Sequence, residues 1–217
     1  MSVLGKYKVS ALAALVIAAV LTFTVFNLGL HKKHNVLRHD MYQYYNYLPA
    51  VFIYQDLGMG FGALVDEKYG AEIWCVPGPN GNCAPKMTMG VSYLMAPFFG
   101  MAHALAQPLG YEANGYSSIY HFMLALGALL YAITGLWLLR WLLLRWFGDV
   151  PVAITLAAVF LGSNLFFYQT VEGNMAHGYL FFLSIVFLIL LWKWNHRPLK
   201  QYAFFLGMAG GLITLIR

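Results

Sequence analysis

The feature that most constrains this chain is a set of long apolar stretches almost free of charge. Ser10–Leu30, Tyr120–Leu139 and Val150–Tyr168 contain no Asp, Glu, Lys or Arg. Each is close to the roughly 20 helical residues needed to cross the hydrocarbon core of a bilayer. Met175–Trp192 adds a fourth stretch, with His177 near its start, and Gln201–Ile216 begins a fifth. The composition agrees: 61% of residues are hydrophobic and 10% charged, against about 25% charged in a soluble domain. The expectation is an all-α, polytopic transmembrane protein with about five spans, a single domain over residues 1–217. The first apolar run is longer than the roughly 7–15 residues of a signal-peptide core, and no small-residue cleavage site follows it. It reads as a retained signal anchor. The last span is barely complete at Arg217, which suggests a fragment or a shortened relative of a longer protein.

In a membrane protein the net charge of +5 concerns topology, through the preference of Lys and Arg for cytoplasmic loops. Nothing resembles a basic, aromatic-interleaved surface for nucleic acid. Thr88–Ala106 is the ambiguous segment, long enough to span but carrying Pro97 and His103. If it does not cross, Lys6 and Lys8, the Arg140/Arg145 loop and the Lys193/Arg197/Lys200 loop all share one side. The Gln169–Asn174 loop, without Lys or Arg, then lies on the other. That arrangement obeys the rule, with Lys32, Lys33 and Arg38 as outer exceptions. It predicts a cytoplasmic N-terminus, an interfacial or re-entrant helix over 88–106, and a cell-membrane location of bacterial inner-membrane kind.

A long outer segment, residues 31–118, then holds most of the polar content. A structureless loop of this length is uncommon. Met41–Leu57 and Thr88–Ala106 are therefore predicted to be helices lying along the membrane surface. Between them, Cys75 and Cys83 flank the turn-rich Val-Pro-Gly-Pro-Asn-Gly-Asn. On an outer face this suits a disulfide, with two free thiols as the alternative. A metal pair there lacks partner ligands at useful spacing.

The polar residues of the outer face supply the candidate chemistry. Asp40 opens Asp-Met-Tyr-Gln-Tyr-Tyr-Asn-Tyr, where Tyr44 and Tyr47 recur at helical spacing. A carboxylate beside an aromatic face suits a sugar or a lipid-linked substrate; the plain alternative is that Asp40 caps a helix. Lys86 precedes the second surface helix and could simply snorkel. Glu172 and His177 flank Gly173-Asn174 and could bind substrate or a divalent metal. Arg217 stands at the outer end of the last span. Together these residues offer a base and cations for phosphate, the parts needed to move a sugar off a lipid phosphate. The chain has no GxGxxG, P-loop, HExxH or GxSxG.

In this order of features the chain resembles the GT-C superfamily of membrane glycosyltransferases. It is most similar to family 39 and its relatives, the protein O-mannosyltransferases and lipid A aminoarabinose transferases. Asp40, followed by Tyr44 and Tyr45, stands where that family has an acidic residue after its first span. Pro85-Lys86-Met87-Thr88-Met89-Gly90, then Tyr93-Leu94, stands where it has a Lys-Pro-Pro-like motif. Tyr116–Leu139 with Arg140 and Arg145 resembles its second span and basic inner end. The chain departs from the pattern in three places. Met41 replaces the second acid of an Asp-Glu pair, Met87 and Thr88 replace the prolines, and Glu172 with His177 stands where relatives have one acid. The resemblance implies the N-terminal half of a glycosyltransferase, with Asp40 as general base and Lys86, Tyr44, Arg217, Glu172 and His177 near substrate. The donor would be a polyprenyl-phosphate sugar and the acceptor a glycan, lipid or protein. A lipid-linked sugar flippase, or a truncated non-catalytic relative, is the alternative.

Overall fold

The computed structural model describes residues 7–216 except 72, 74 and 79–82. It is mostly helical. In chain order come α1 (Lys8–Asn27), α2 (Lys33–Val36), α3 (Asp40–Tyr45), α4 (Tyr47–Phe52) and α5 (Gly62–Tyr69), then the strands β1 (Cys75–Pro77) and β2 (Cys83–Pro85). α6 (Gly90–Ala106), α7 (Ser118–Leu143), α8 (Asp149–Leu161), α9 (Leu165–Gln169), α10 (Ala176–His196) and α11 (Lys200–Ile216) follow.

α1, α7 and α10 are each long and apolar enough to cross a membrane, which makes this a multi-pass membrane protein. α1 buries Ser10, Ala14, Ile17, Leu21 and Val25, spaced three or four residues apart on one helical face. Leu12, Leu15, Val16 and Phe23 point outward and are exposed. A helix apolar on all sides, with one side packed, is what lipid surroundings allow. The ends of three helices meet in a hydrogen-bonded knot. Arg140 on α7 donates to the Ser10 hydroxyl (3.0 Å) and the Tyr7 carbonyl (2.9 Å). Asp149 on α8 accepts from the backbone N–H groups of Val9 (2.7 Å) and Ser10 (2.9 Å). Trp192 of α10 meets Trp141 of α7 edge to face at 5.6 Å. The start of α1, the end of α7, the start of α8 and the end of α10 therefore lie at one end of the bundle.

The structure differs from the sequence expectation in two places. The single span expected over 150–168 is interrupted: α8 has 13 residues, about 20 Å, and α9 begins only at Leu165. The interruption is Gly162-Ser163-Asn164. There the Ser163 hydroxyl donates to the Val159 carbonyl (2.6 Å) and accepts from the Leu165 N–H (3.1 Å). A side chain that bonds the backbone in this way competes with the helical ladder. The single helix expected over Met41–Leu57 is divided into α3 and α4. Pro49 has no N–H to offer the Tyr45 carbonyl one turn back, so the ladder breaks between them.

Thr88–Ala106, expected to form an interfacial or re-entrant helix, becomes α6, which runs lengthwise against α7. His103 is 2.6 Å from the Tyr120 hydroxyl, and the Tyr131 hydroxyl donates to the Leu94 carbonyl at 3.0 Å. Phe98 covers Gly127, where a Cβ would meet its ring at 2.5 Å. Falling residue numbers on α6 meet rising ones on α7, so the pair is antiparallel. Gly127 is what permits the close approach. At 17 residues α6 is about 25 Å long, shorter than a roughly 30 Å hydrocarbon core.

Two cores result. One joins α3–α6 to the first turns of α7 and α10 and is built around Tyr42, Tyr44, Tyr45, Phe99, Tyr116 and Tyr120. The other lies between α1, α7, α8 and α10 and includes Ala14, Ile17, Leu21, Leu136, Leu156 and Phe160. β1 and β2 form an antiparallel ribbon with Cys75 opposite Pro85 and Pro77 opposite Cys83. Cys83 is disulfide-bonded, and Cys75 is the only other cysteine of the chain.

Candidate functional site

The site forms where the face of α3 and α4 meets the stretch that leaves β2. Asp40 is the first residue of α3, and the capping position belongs to His39, which makes no side-chain cap hydrogen bond. The Asp40 carboxylate, half-buried, instead accepts a long hydrogen bond from the Gln43 amide at 3.4 Å. His39 has φ 42° and ψ −116°, a positive φ that costs a non-glycine residue about 1–3 kcal/mol.

Gln43 organises the site. It is 3% exposed, and its Oε1 accepts the backbone N–H of Lys86 at 3.0 Å. A backbone N–H can only donate, so this bond fixes which way the amide faces and turns Nε2 toward Asp40. One turn on, the Tyr47 hydroxyl donates to the Met87 carbonyl at 2.8 Å. The Thr88 hydroxyl donates to the Leu215 carbonyl near the end of α11. Three consecutive residues are thus pinned, while the Lys86 side chain is exposed. Asp40 and Lys86, 46 positions apart in sequence, are joined through one buried amide.

The aromatic residues close the site from behind. Tyr44 is buried; burial first, and the nearby Asp40 carboxylate second, raise its phenol above the ordinary value. Its carbonyl accepts the Ser92 hydroxyl of α6. Tyr45 is fully buried, donates to the Gly115 carbonyl and meets Phe99 and Tyr116 edge to face. The Tyr116 hydroxyl donates to Asn46 at 3.0 Å. Burial, then the neighbouring tyrosines, push the Tyr45 and Tyr116 phenols well up, so both remain protonated donors.

The remaining sequence-predicted residues do not join this cluster. Among the described residues, no hydrogen bond or ion pair links Glu172 or His177 to Asp40, Gln43 or Lys86. His177 packs its ring on Tyr168 at 4.0 Å. The Glu172 loop is tied to α2, where Asn174 donates to the Val36 carbonyl at 3.4 Å and accepts the Tyr179 hydroxyl at 2.9 Å. Among the described residues no group of three His, Cys, Asp or Glu is placed to hold a metal ion, so a Glu172/His177 pair has no third ligand. Arg217 lies outside the described residues. Sequence reasoning missed Gln43. Its one available signal was its position three residues after Asp40, an uncharged amide among aromatics.

The arrangement can do two things chemically. A half-buried carboxylate with one oxygen steadied by an amide can accept a proton with the other oxygen. An exposed ammonium on a pinned backbone can meet an anion. Comparison of the chain with protein-family models, with curated proteins and with solved structures finds no match, so the resemblance to membrane glycosyltransferases rests on the residues that carry it.

Proposed function

We propose that this chain is a membrane glycosyltransferase of GT-C kind, moving a sugar from a polyprenyl-phosphate donor to an acceptor on the outer face of a cell membrane. The observation that carries the reading is the Gln43 amide, which holds Asp40 and the Lys86 backbone together. The pairing matches what the reaction needs. Asp40 takes the proton of the acceptor hydroxyl or amine as that atom attacks the anomeric carbon. The bond from that carbon to the phosphate oxygen breaks, and the polyprenyl phosphate leaves with the electron pair. Lys86, with Arg217 as a further cation, offsets the charge on the departing phosphate. A lipid-linked donor suits an outward site because it reaches that site through the bilayer.

The same reading takes α8 with α9, and α11, as two further spans beside α1, α7 and α10, and α6 as a re-entrant helix. The N-terminus is then cytoplasmic and the Arg140, Arg145 and Lys193 end lies inside, as the bias of Lys and Arg in short loops requires. The gathering of those helix ends around Ser10, Arg140 and Asp149 supports that assignment. A bacterial inner membrane is the setting that fits.

Sugar transfer from a panel of polyprenyl-phosphate donors in reconstituted membranes tests the proposal. Asp40→Asn is expected to lower transfer by about 10²–10⁴-fold with insertion and folding unchanged. Lys86→Met is expected to weaken donor use while the base is intact. Full activity in Asp40→Asn would remove the assignment. Lipid movement without any glycosylated product would point to a transport protein instead.

A further inference from the structure

The bundle end opposite the Asp40 site carries two cations, Arg145 and Lys193, outside the hydrogen-bonded knot of Arg140 and Asp149. Arg145 is exposed, and its guanidinium lies 4.0 Å from the ring centre of Trp141 and 4.8 Å from that of Trp192. Stacking on two aromatic faces orders the guanidinium in advance and leaves its N–H edge open. Lys193 stands one residue beyond Trp192. Arg140 lies 5.4 Å from the Trp137 ring, its guanidinium donating to Ser10 and the Tyr7 carbonyl. Asp149, the acid at this end, is engaged by the Val9 and Ser10 N–H groups. Among the described residues neither Arg145 nor Lys193 has a carboxylate partner.

Two apolar grooves run from these cations along the bundle. One, of about 570 Å³, passes between Leu15 of α1 and the Trp137, Trp141 and Arg145 side of α7. The other, of about 430 Å³, lies between Trp137, Trp141, Ile189 and Lys193. Both share Trp137, Arg140 and Trp141, and Arg145 lines the first groove while Lys193 lines the second.

We propose that this end of the bundle is a binding site for an anionic phospholipid. The two grooves take its two acyl chains, and Arg145 and Lys193 meet the phosphate, whose charge a zwitterionic headgroup would offset and an anionic one leaves free. Charge complementarity selects the ligand: Arg145 and Lys193, cations without a carboxylate partner among the described residues, favour an anionic headgroup over a zwitterionic one. Tryptophans at this level suit the junction of headgroups and chains.

The test uses the full chain in detergent micelles, titrated with phosphatidylglycerol or with phosphatidylcholine of the same acyl chains, and bound lipid read by native mass spectrometry. Phosphatidylglycerol should bind more tightly. The double variant Arg145→Gln, Lys193→Gln should weaken it about fivefold for each cation removed and leave phosphatidylcholine unchanged. Millimolar inorganic phosphate should not displace the lipid. Equal binding of the two lipids, full binding by the double variant, or displacement by inorganic phosphate would each overturn the proposal. If the double variant fails to fold, the tryptophan emission of the parent decides. It should shift with phosphatidylglycerol and not with phosphatidylcholine, and the absence of a difference would refute the site.

Discussion

The two cores of this molecule are built on different principles. Behind the Asp40 site the buried aliphatic residues are joined by tyrosines whose hydroxyls need partners, as Tyr45 finds in Gly115 and Tyr116 in Asn46. Between α1, α7, α8 and α10 the described buried residues are Ala, Ile, Leu and Val with Phe160, and no tyrosine. An aliphatic core in lipid gains only packing, because the surrounding chains are as apolar as leucine. An aromatic, hydrogen-bonded core fixes position as well, since each hydroxyl is satisfied in one arrangement only. The part of the chain that must hold a carboxylate in place is the part built by the second principle.

The largest expected effect sets the two cores directly against each other. Tyr45→Ala should cost about 3–5 kcal/mol, as for other large aromatics cut to alanine, and should detach α3 from α6. Leu136→Ala should fall below the roughly 2–5 kcal/mol of soluble cores, because its transfer contribution is nearly absent in lipid. Unfolding in bicelles measures both. Equal costs would erase the distinction.

A smaller effect is expected where glycine permits the close contacts of α6 with α11 and with α7. A Cβ at Gly90 would sit 2.5 Å from the Leu215 carbonyl oxygen, whereas one at Gly127 would sit 2.5 Å from the Phe98 ring. Both alanine variants should lose about 1–3 kcal/mol. Gly90→Ala should be the worse, because a ring can turn aside and a backbone carbonyl cannot. If Gly127→Ala is the more damaging of the two, the α6–α7 contact is more rigid than the contact of α6 with α11.

The smallest effect concerns pH. On the outer segment the Tyr69 hydroxyl (2.8 Å) above all, then the Asn114 amide (2.9 Å) and the Lys68 ammonium (3.5 Å), hold the exposed Glu112 carboxyl below its ordinary value of 4.5. A depressed folded-state value means the contribution is fully present above about pH 4.5. It is lost as pH falls through the lower folded value. Glu112→Gln should therefore flatten the acid limb of the stability profile and leave its neutral part nearly unchanged. A neutral-pH loss as large as the acid one would show that the contacts matter for packing and not for charge.

The long spans were legible because apolar length is a direct physical requirement of a bilayer. Ser10–Leu30, Tyr120–Leu139 and Met175–Trp192 became α1, α7 and α10 with shifts of a few residues at their ends. The break after Leu161 was not legible from hydrophobicity, since Gly162, Ser163 and Asn164 are few enough to leave the stretch apolar while their local bonds stop the helix. Pro49 was visible, and its effect on the Tyr45 carbonyl follows from elementary chemistry, but a helical pattern over Met41–Leu57 concealed it. Asp40 and Lys86 could be picked out one at a time. That a neutral glutamine joins them could not, because no charge, period or motif marks Gln43, and its importance comes from a backbone N–H 43 positions away.

The pinned stretch after β2 also sets how freely the chain can change in length. Lys86, Met87 and Thr88 are each held by a different neighbour, and Gly90 rests directly against the backbone of α11. No slack remains between them. One residue inserted between Lys86 and Gly90 would break at least one of these holds and shift Lys86 relative to Asp40. Kindred sequences should therefore keep a constant count from Pro85 to Gly90 whatever residues they place there, so that spacing, more than identity, becomes the mark of descent.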